Sequence, residues 1–267
     1  MDIKIEDIAD IALKAGDVIM EIYKKDFSVV YKNDDSPLTE ADKKSNEMIC
    51  SRLKEMYSDI PILSEENKEI PYEIRKNWEY YWLIDPLDGT KEFIKKNNEF
   101  TVNIALIKKD RPIMGAIYAP ALNLLYYAEE GKGSFKIDEK GQKHKLPIYN
   151  KKPNNIIKVV SSKSHSNIKT EGFIDNLHRQ YDKVELLSIG SSLKICLVAE
   201  GIADIYPRLG PTMEWDIAAG DIIASESNKK LFKYEEGKPL DSFKYNKENL
   251  VNSWFVVKDK DLAVVYN

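Results

Sequence analysis

Residues 80–93 read Tyr-Tyr-Trp-Leu-Ile-Asp-Pro-Leu-Asp-Gly-Thr-Lys-Glu-Phe, and the reading of this stretch decides the fold. Tyr81 to Ile84 have the aromatic and aliphatic composition of a buried strand. Pro86 then fixes φ and removes a backbone donor, and Gly89 permits a tight turn. The strand is therefore expected to stop at Asp85, leaving Asp85 and Asp88 on a stiff turn and facing one small volume. Two carboxylates that close repel unless a cation lies between them, and oxygen-only ligands suit a hard ion such as magnesium. Gly89 and Thr90 are expected to open a helix whose free amides point at a phosphate. Residues 85–89 alone also make an ordinary turn, because Asp, Pro and Gly each favour turns. The rest of the chain has to decide between the two.

The 267 residues are 43% hydrophobic and 31% charged, which suits a globular protein with a sizeable core. The formal net charge of −4, with lysines scattered among acids, gives no electrostatic basis for binding polymeric nucleic acid. A small anionic substrate stays open, since local cations can serve it. No apolar run reaches membrane-spanning length, and the start Met-Asp-Ile-Lys-Ile-Glu-Asp is unlike a signal peptide. A cytoplasmic protein is expected, with no obligate membrane insertion and peripheral inner-membrane association left open. Cys50 and Cys196 lie in helical apolar patterns and read as buried reduced thiols rather than a disulfide.

From the N-terminus, Ile5, Ile8, Ala12, Ala15 and Ile19 predict an amphipathic helix over residues 4–24. A short strand at Val29–Lys32 and a loop at Asn33–Pro37 follow. Thr39 then stands as an N-cap, with Asp42 in the capping-box position and Met48, Ile49, Leu53 and Met56 on the apolar face behind it. Pro61–Leu63 runs into Ser64-Glu65-Glu66, a second carboxylate pair at a strand end. Residues 67–77 read as irregular. Strands at Phe100–Ile107, Pro112–Tyr118 and Leu124–Glu129, and a hairpin punctuated by Gly131, Gly133 and Gly141, predict an antiparallel sheet against the first two helices.

Beyond Lys151-Lys152-Pro153 the pattern alternates. Strands are expected at 156–161, 184–188 and 202–206, helices at 167–180, 191–200 and 212–225, and final strands near Leu231 and Trp254. Two α/β lobes are expected, residues 1–150 and 151–267, with a ligand site at their junction. The second lobe offers Asp216 in a helix first turn, the hydroxyls and cation of Ser188–Lys194, Tyr206-Pro207-Arg208, and His165 after a strand. Each of these has an ordinary structural explanation when taken singly.

Together, Ser64-Glu65-Glu66, Trp82–Thr90 and Trp215-Asp216 resemble, in order and separation, the magnesium-dependent, lithium-sensitive phosphatase superfamily that includes inositol monophosphatase. Thr90-Lys91-Glu92-Phe93, Gly190–Lys194 and Tyr206–Thr212 are similar to its 3′(2′),5′-bisphosphate nucleotidase branch, which acts in sulfur assimilation. The resemblance implies an α/β fold of five layers, αβαβα, with an antiparallel first sheet and a mainly parallel second one. It implies two or three magnesium ions on Glu65, Asp85, the Leu87 carbonyl, Asp88 and Asp216. Glu65, Asp42 and Thr90 become catalytic, the last two by orienting or activating water. Asp88, Gly89, Thr90 and Asp216 meet the scissile phosphate, and Ser191, Lys194, Arg208 and His165 contact the nucleotide beyond it. The implied reaction converts adenosine 3′,5′-bisphosphate to AMP and phosphate, with the phosphosulfate analogue as a further substrate, in a monomer or homodimer. Inositol monophosphate or fructose bisphosphate as substrate, and a non-catalytic metal- or nucleotide-binding regulator, are the alternatives.

Overall fold

A computed structural model describes residues 3–25, 27, 29–31, 37–67, 69–150, 155–161, 167–235, 238–240 and 243–264. His165 lies outside the described residues, as does most of the loop expected at 33–37.

The first layer is a helix pair. Helix α1 (Ile5–Tyr23) buries the five apolar residues that its spacing singled out. Gly16 lets it approach the sheet beneath closely, since a Cβ there would run into the Tyr118 ring. Strands β1 (Val29–Tyr31) and β2 (Pro37–Thr39) form a small antiparallel ribbon, so Pro37 is strand rather than loop. Helix α2 (Glu40–Met56) starts on the expected box, with Thr39 as cap and Asp42 bonded back to it. Met56, at the last position of the helix, stays 39% exposed instead of joining the apolar face.

These helices cover a seven-stranded sheet of β3 (Ile62–Ser64), β4 (Tyr80–Asp88), β5 (Thr101–Lys108), β6 (Arg111–Ala119), β7 (Leu124–Glu129), β8 (Gly133–Ile137) and β9 (Lys143–Lys145), in that order. Every pairing is antiparallel except β3 with β4. The stretch expected to be irregular contains a one-turn helix, α3 (Tyr72–Arg75), and α4 (Thr90–Ile94) follows β4.

The second sheet gathers β10 (Ile156–Ser161), β11 (Lys183–Ser188), β12 (Ile205–Arg208), β13 (Lys229–Glu235), β14 (Lys238–Leu240) and β15 (Phe255–Asp259), in the order β11-β10-β12-β15-β13-β14. β10, β11, β12 and β13 share one direction. β15 inserts antiparallel between β12 and β13, so the sheet is mixed in its pairing. Helix α5 (Ile168–His178) packs on its outer face, against β11 and β12. Helices α6 (Leu193–Glu200) and α7 (Glu214–Ser225) lie between the sheets, α7 reaching β4 to β7 on one side and β13 on the other. The order of layers is thus α1/α2, first sheet, α6/α7, second sheet, α5.

Besides a smaller cluster between the second sheet and α5, around Ile157, Phe173, Leu177 and Val256, two larger apolar cores result among the described residues. One fills the space between α1/α2 and the first sheet, with Trp82, Ile84, Phe93 and Phe100 at its centre. The other joins the opposite face of that sheet to α6, α7 and the second sheet through Leu83, Tyr126, Trp215, Ile223 and Phe255. Contact is close at Gly115 of β6, where a Cβ would sit 2.9 Å from the Ala219 backbone of α7. Cys50 is half-buried, Cys196 is buried, and both are free thiols. No helix among the described residues is long and apolar enough to cross a membrane.

Asp221 of α7 accepts from Tyr245 Oη at 2.8 Å, and burial pushes its carboxyl up to about 6. A raised carboxyl pKa means the folded state favours the proton, so stability falls as pH rises from about 4 to 6. Asp221→Asn, which keeps the acceptor for Tyr245, is expected to raise Tm at pH 8. That gain should vanish at pH 4. Thermal melts across this range would count against the assignment if the gain did not depend on pH.

Candidate active site

β4 carries the first carboxylates, but it does not end at Asp85. Its register with β5 shifts between Asp85 and Asp88, and the ladder resumes with Asp88 opposite Thr101. Pro86 has no N–H to offer the ladder. Its carbonyl instead accepts from Ser45 Oγ of α2 at 2.7 Å, and Leu87 N–H donates to Asp85 Oδ1 at 3.1 Å. The turn comes one step later, at Gly89, whose φ of 91° suits glycine. The bulge therefore gives the two aspartates their common side.

A cavity of about 320 Å³ opens here, lined by Glu65, Asp85, Asp88, Glu92 and Asp216 among its acidic residues. Glu65 follows β3, Asp85 and Asp88 belong to β4, and Asp216 sits in the first turn of α7. Asp85 is 1% exposed. Burial holds its carboxyl well above the usual range, and repulsion from Glu65, Asp88, Asp216 and Asp42 raises it further. Asp216 is raised by burial and then by Asp88, while the Met213 N–H, 2.8 Å from Oδ2, partly offsets the effect.

Asp42 stands behind this wall and serves two partners at once. Its Oδ2 accepts from Thr39 N–H at 2.7 Å and Thr39 Oγ1 at 2.6 Å, completing the helix cap. Its Oδ1 accepts from Thr90 Oγ1 at 3.1 Å. Capping and site chemistry are thus not rival accounts of this residue.

The rest of the lining comes largely from segments after residue 190, and two of these residues are basic. Lys194 and Arg208 line the same cavity, beside Ser191, Tyr206 and Thr212. Lys194 is 6% exposed, and burial lowers its ammonium to about 8. Nζ donates to the Ser191 carbonyl at 2.6 Å. Arg208 Nη2 donates to the Pro211 carbonyl at 2.9 Å, while its Nε is buried with no hydrogen-bond partner among the described residues. Ser191 holds a φ of 50° next to Gly89.

The residue that ties Asp88 to Asp216 is Ser192, which sequence reasoning passed over for its neighbour. Its N–H donates to Asp88 Oδ2 at 2.6 Å. Its Oγ lies 2.7 Å from the same oxygen and 2.9 Å from the Asp216 carbonyl, and accepts from Asn103 Nδ2 at 2.7 Å. Asn103 is 1% exposed in the middle of an otherwise apolar strand. That polar residue in a buried run was the signal available in the sequence. Glu99 adds a second tie by accepting from Gly190 N–H at 2.8 Å.

Glu65, Asp85, Asp88 and Asp216 offer the cavity oxygen atoms whose charges repel one another, a chemistry that suits hard divalent cations. Among the described residues no three carboxylate, imidazole or thiol groups stand together as a closed ligand shell. Asp42, Asp88 and Asp216 are held by neutral protein donors instead.

Residues 4–263 match the model of the inositol monophosphatase family. The chain is 44% identical over 239 residues to the 3′(2′),5′-bisphosphate nucleotidase CysQ of Escherichia coli K12, covering 89% of this chain and 93% of that one. It is 36% identical over 249 residues to the protein of the same name from Haemophilus influenzae, covering 92% and 89%. The crystal structure of CysQ from Bacteroides thetaiotaomicron superposes with a TM-score of 0.84 at 43% identity, over 96% of this chain and 98% of the other. A Thermotoga maritima IMPase shares the fold, with a TM-score of 0.74 at 24% identity over 94% and 90%.

Ser192→Ala removes the hydroxyl but keeps the N–H, leaving Asn103 Nδ2 buried without its acceptor. A loss of about 1–3 kcal/mol in urea unfolding is expected. An unchanged unfolding midpoint would show that Ser192 does not tie the site together.

Proposed function

Because the chain belongs to the inositol monophosphatase family, we propose that it is a metal-dependent phosphatase removing the 3′-phosphate of adenosine 3′,5′-bisphosphate. AMP and phosphate are the products, and the phosphosulfate analogue is a second substrate. The observation that carries this reading is one cavity lined by Glu65, Asp85, Asp88 and Asp216 together with Lys194 and Arg208. The nucleotidases named above supply the substrate class.

Glu65, Asp85, the Leu87 carbonyl, Asp88 and Asp216 would hold magnesium, as two or three ions, with ligands from a first lobe (1–150) and a second (151–267). When bound, such ions lower the pKa of water to make a nucleophile and stabilise the leaving oxygen. The chain's own residues orient the reaction. Asp42 takes the Thr90 hydroxyl proton in a hydrogen bond, which leaves the Thr90 lone pairs free to accept from a water in the cavity. Gly89, lacking a side chain, keeps the wall beside Thr90 open to the scissile phosphate.

A bisphosphate brings a second anion, and its reception needs cations away from the carboxylates. The unpartnered Nε of Arg208 offers a directional donor, and Lys194 supplies charge beside it. Ser191 lies within reach of the sugar or phosphate on the same side. Placing His165 on the nucleotide rests on the resemblance alone.

In Asp88→Asn, the neutral side chain removes one of four repelling charges while keeping an acceptor for Ser192. The metal-free variant is expected to melt no lower than wild type, and turnover at saturating magnesium should fall at least about 100-fold. Near wild-type turnover would remove the metal-ligand assignment.

Arg208→Ala and Lys194→Ala are each expected to lower kcat/KM for the bisphosphate roughly tenfold to a hundredfold, since a contact to a charged group contributes about 1.5–3 kcal/mol. Hydrolysis of a simple monophosphate should change much less. Equal losses on both substrates would place these residues in support of the fold or the metal centre rather than in substrate choice.

A further inference from the structure

Glu214 is completely buried, two residues before Asp216, and charged groups are rarely left there without compensation. Its carboxylate is filled by donors from one segment. Asn246 N–H donates to Oε2 at 2.7 Å, and Lys247 N–H and Nζ donate to Oε1 at 3.0 and 2.6 Å. The same segment then runs along the start of α7. Glu214 N–H donates to the Leu250 carbonyl, and Asn252 N–H to the Thr212 carbonyl, while Met213 and Val251 form an isolated bridge. Asn252 Nδ2 reaches the Met213 carbonyl at 2.5 Å. Met213 N–H is the donor that holds Asp216 Oδ2. Residues 246–252 are therefore a strap across the turn that presents Asp216.

The strap is fastened at its other end to the first sheet's side of the molecule. Arg75 of α3 is 2% exposed. Its Nη1 donates to Asn246 Oδ1 at 2.9 Å and to the Lys247 carbonyl at 2.7 Å, and its Nη2 donates to the Glu248 carbonyl at 2.7 Å. Asn246 Nδ2 returns a bond to the Arg75 carbonyl at 2.6 Å. Asn246 adopts a φ of 63° within this knot. A planar fork that meets three acceptors in fixed directions sets position, which a lysine could not reproduce.

We propose that Arg75, Lys247 and Glu214 form a positioning clasp that fixes Asp216 as a metal ligand. The inference rests on the metal reading given above. Asp85 and Asp88 are placed by the bulge of β4, inside a sheet. Asp216 comes from helix α7, outside that sheet, and its placement relative to them depends on ties between the helix and the rest of the site. Ser192 supplies one tie near the cavity, and the clasp supplies the other from behind. Partners of this kind, standing behind a ligand, typically change metal affinity by 10- to 100-fold when lost.

The test measures magnesium binding calorimetrically as well as activity, in full-length Lys247→Met and Arg75→Lys. Lys136→Met is the control. Lys136 also pairs with a buried glutamate, Glu200, at 2.8 Å in the same core region but away from Asp216. All three variants are expected to lose Tm without metal. Only the two clasp variants should raise the magnesium dissociation constant, about tenfold or more, with activity recovered in part at high magnesium. If wild type itself binds no magnesium, the metal reading fails and the clasp proposal with it. If wild type binds magnesium and the clasp variants bind it equally well, the clasp is structural only and the proposal is overturned. An equal loss of affinity in Lys136→Met would overturn it too, by tracing the effect to general destabilisation.

Discussion

The molecule is built around a repulsion. Glu65, Asp85, Asp88 and Asp216 face one cavity, and burial raises the carboxyls of Asp85 and Asp216 well above the usual range. A chain folding for stability alone would put apolar residues there. Keeping the acids requires that the surroundings hold each one in place without neutralising it, because a lysine paired with Asp85 would occupy the position a cation needs. The structure uses neutral donors for that purpose: Ser192 on Asp88, Met213 N–H on Asp216, Leu87 N–H on Asp85 and Thr39 on Asp42. Hydrogen bonds of this type orient a carboxylate and favour its ionised form, while leaving its charge available.

The fold answers the constraint through two kinds of support. Sheet strands position the first carboxylates, and the bulge at Pro86 converts a regular alternation of faces into two aspartates on one side. Helix α7 positions the last. It is pressed between the two sheets so closely that Gly115 has no room for a methyl group, and an interior packed at that density does not let a helix slide freely. The strap of residues 246–252 lies across its first turn.

Local chemistry made much of this legible in the sequence. The Thr39–Asp42 box, the alternating strands from Thr101 to Glu129 and the strand–helix alternation after residue 155 each follow from short-range patterns, and they stand where those patterns put them. Asp85, Asp88 and Asp216 were visible as acids at element ends. What stayed hidden depends on contacts between residues far apart in the chain. Nothing near β4 says that its ladder continues past Pro86, because that is decided by Thr101 across the sheet. Ser192 and Ser191 are alike as residues, and only the partners Asn103, Asp88 and Asp216 tell them apart. Nothing in the sequence around Glu214 points to its partners, which lie more than 30 positions away. The antiparallel insertion of β15 into the second sheet is of the same kind, since the direction of a late strand is set by where earlier strands leave an edge.

On the reading proposed above, cations held by the carboxylates and the charges of Lys194 and Arg208 together orient the substrate by charge. The phosphate to be cleaved can approach four carboxylates only in company with cations, so an anion approaching them without metal is repelled. The other phosphate needs no metal, because Arg208 and Lys194 receive it directly. A bisphosphate is therefore bound productively in one direction and disfavoured in the other, and a monophosphate loses one of the two anchors. The lowered proton affinity of Lys194, pressed to about 8 by burial, places its ammonium close enough to neutrality that a nearby anion would strengthen its charge as it binds. Substrate recognition and the state of the basic residues are then coupled, just as cation binding and the state of the acidic ones are. The cavity is completed electrostatically by what enters it.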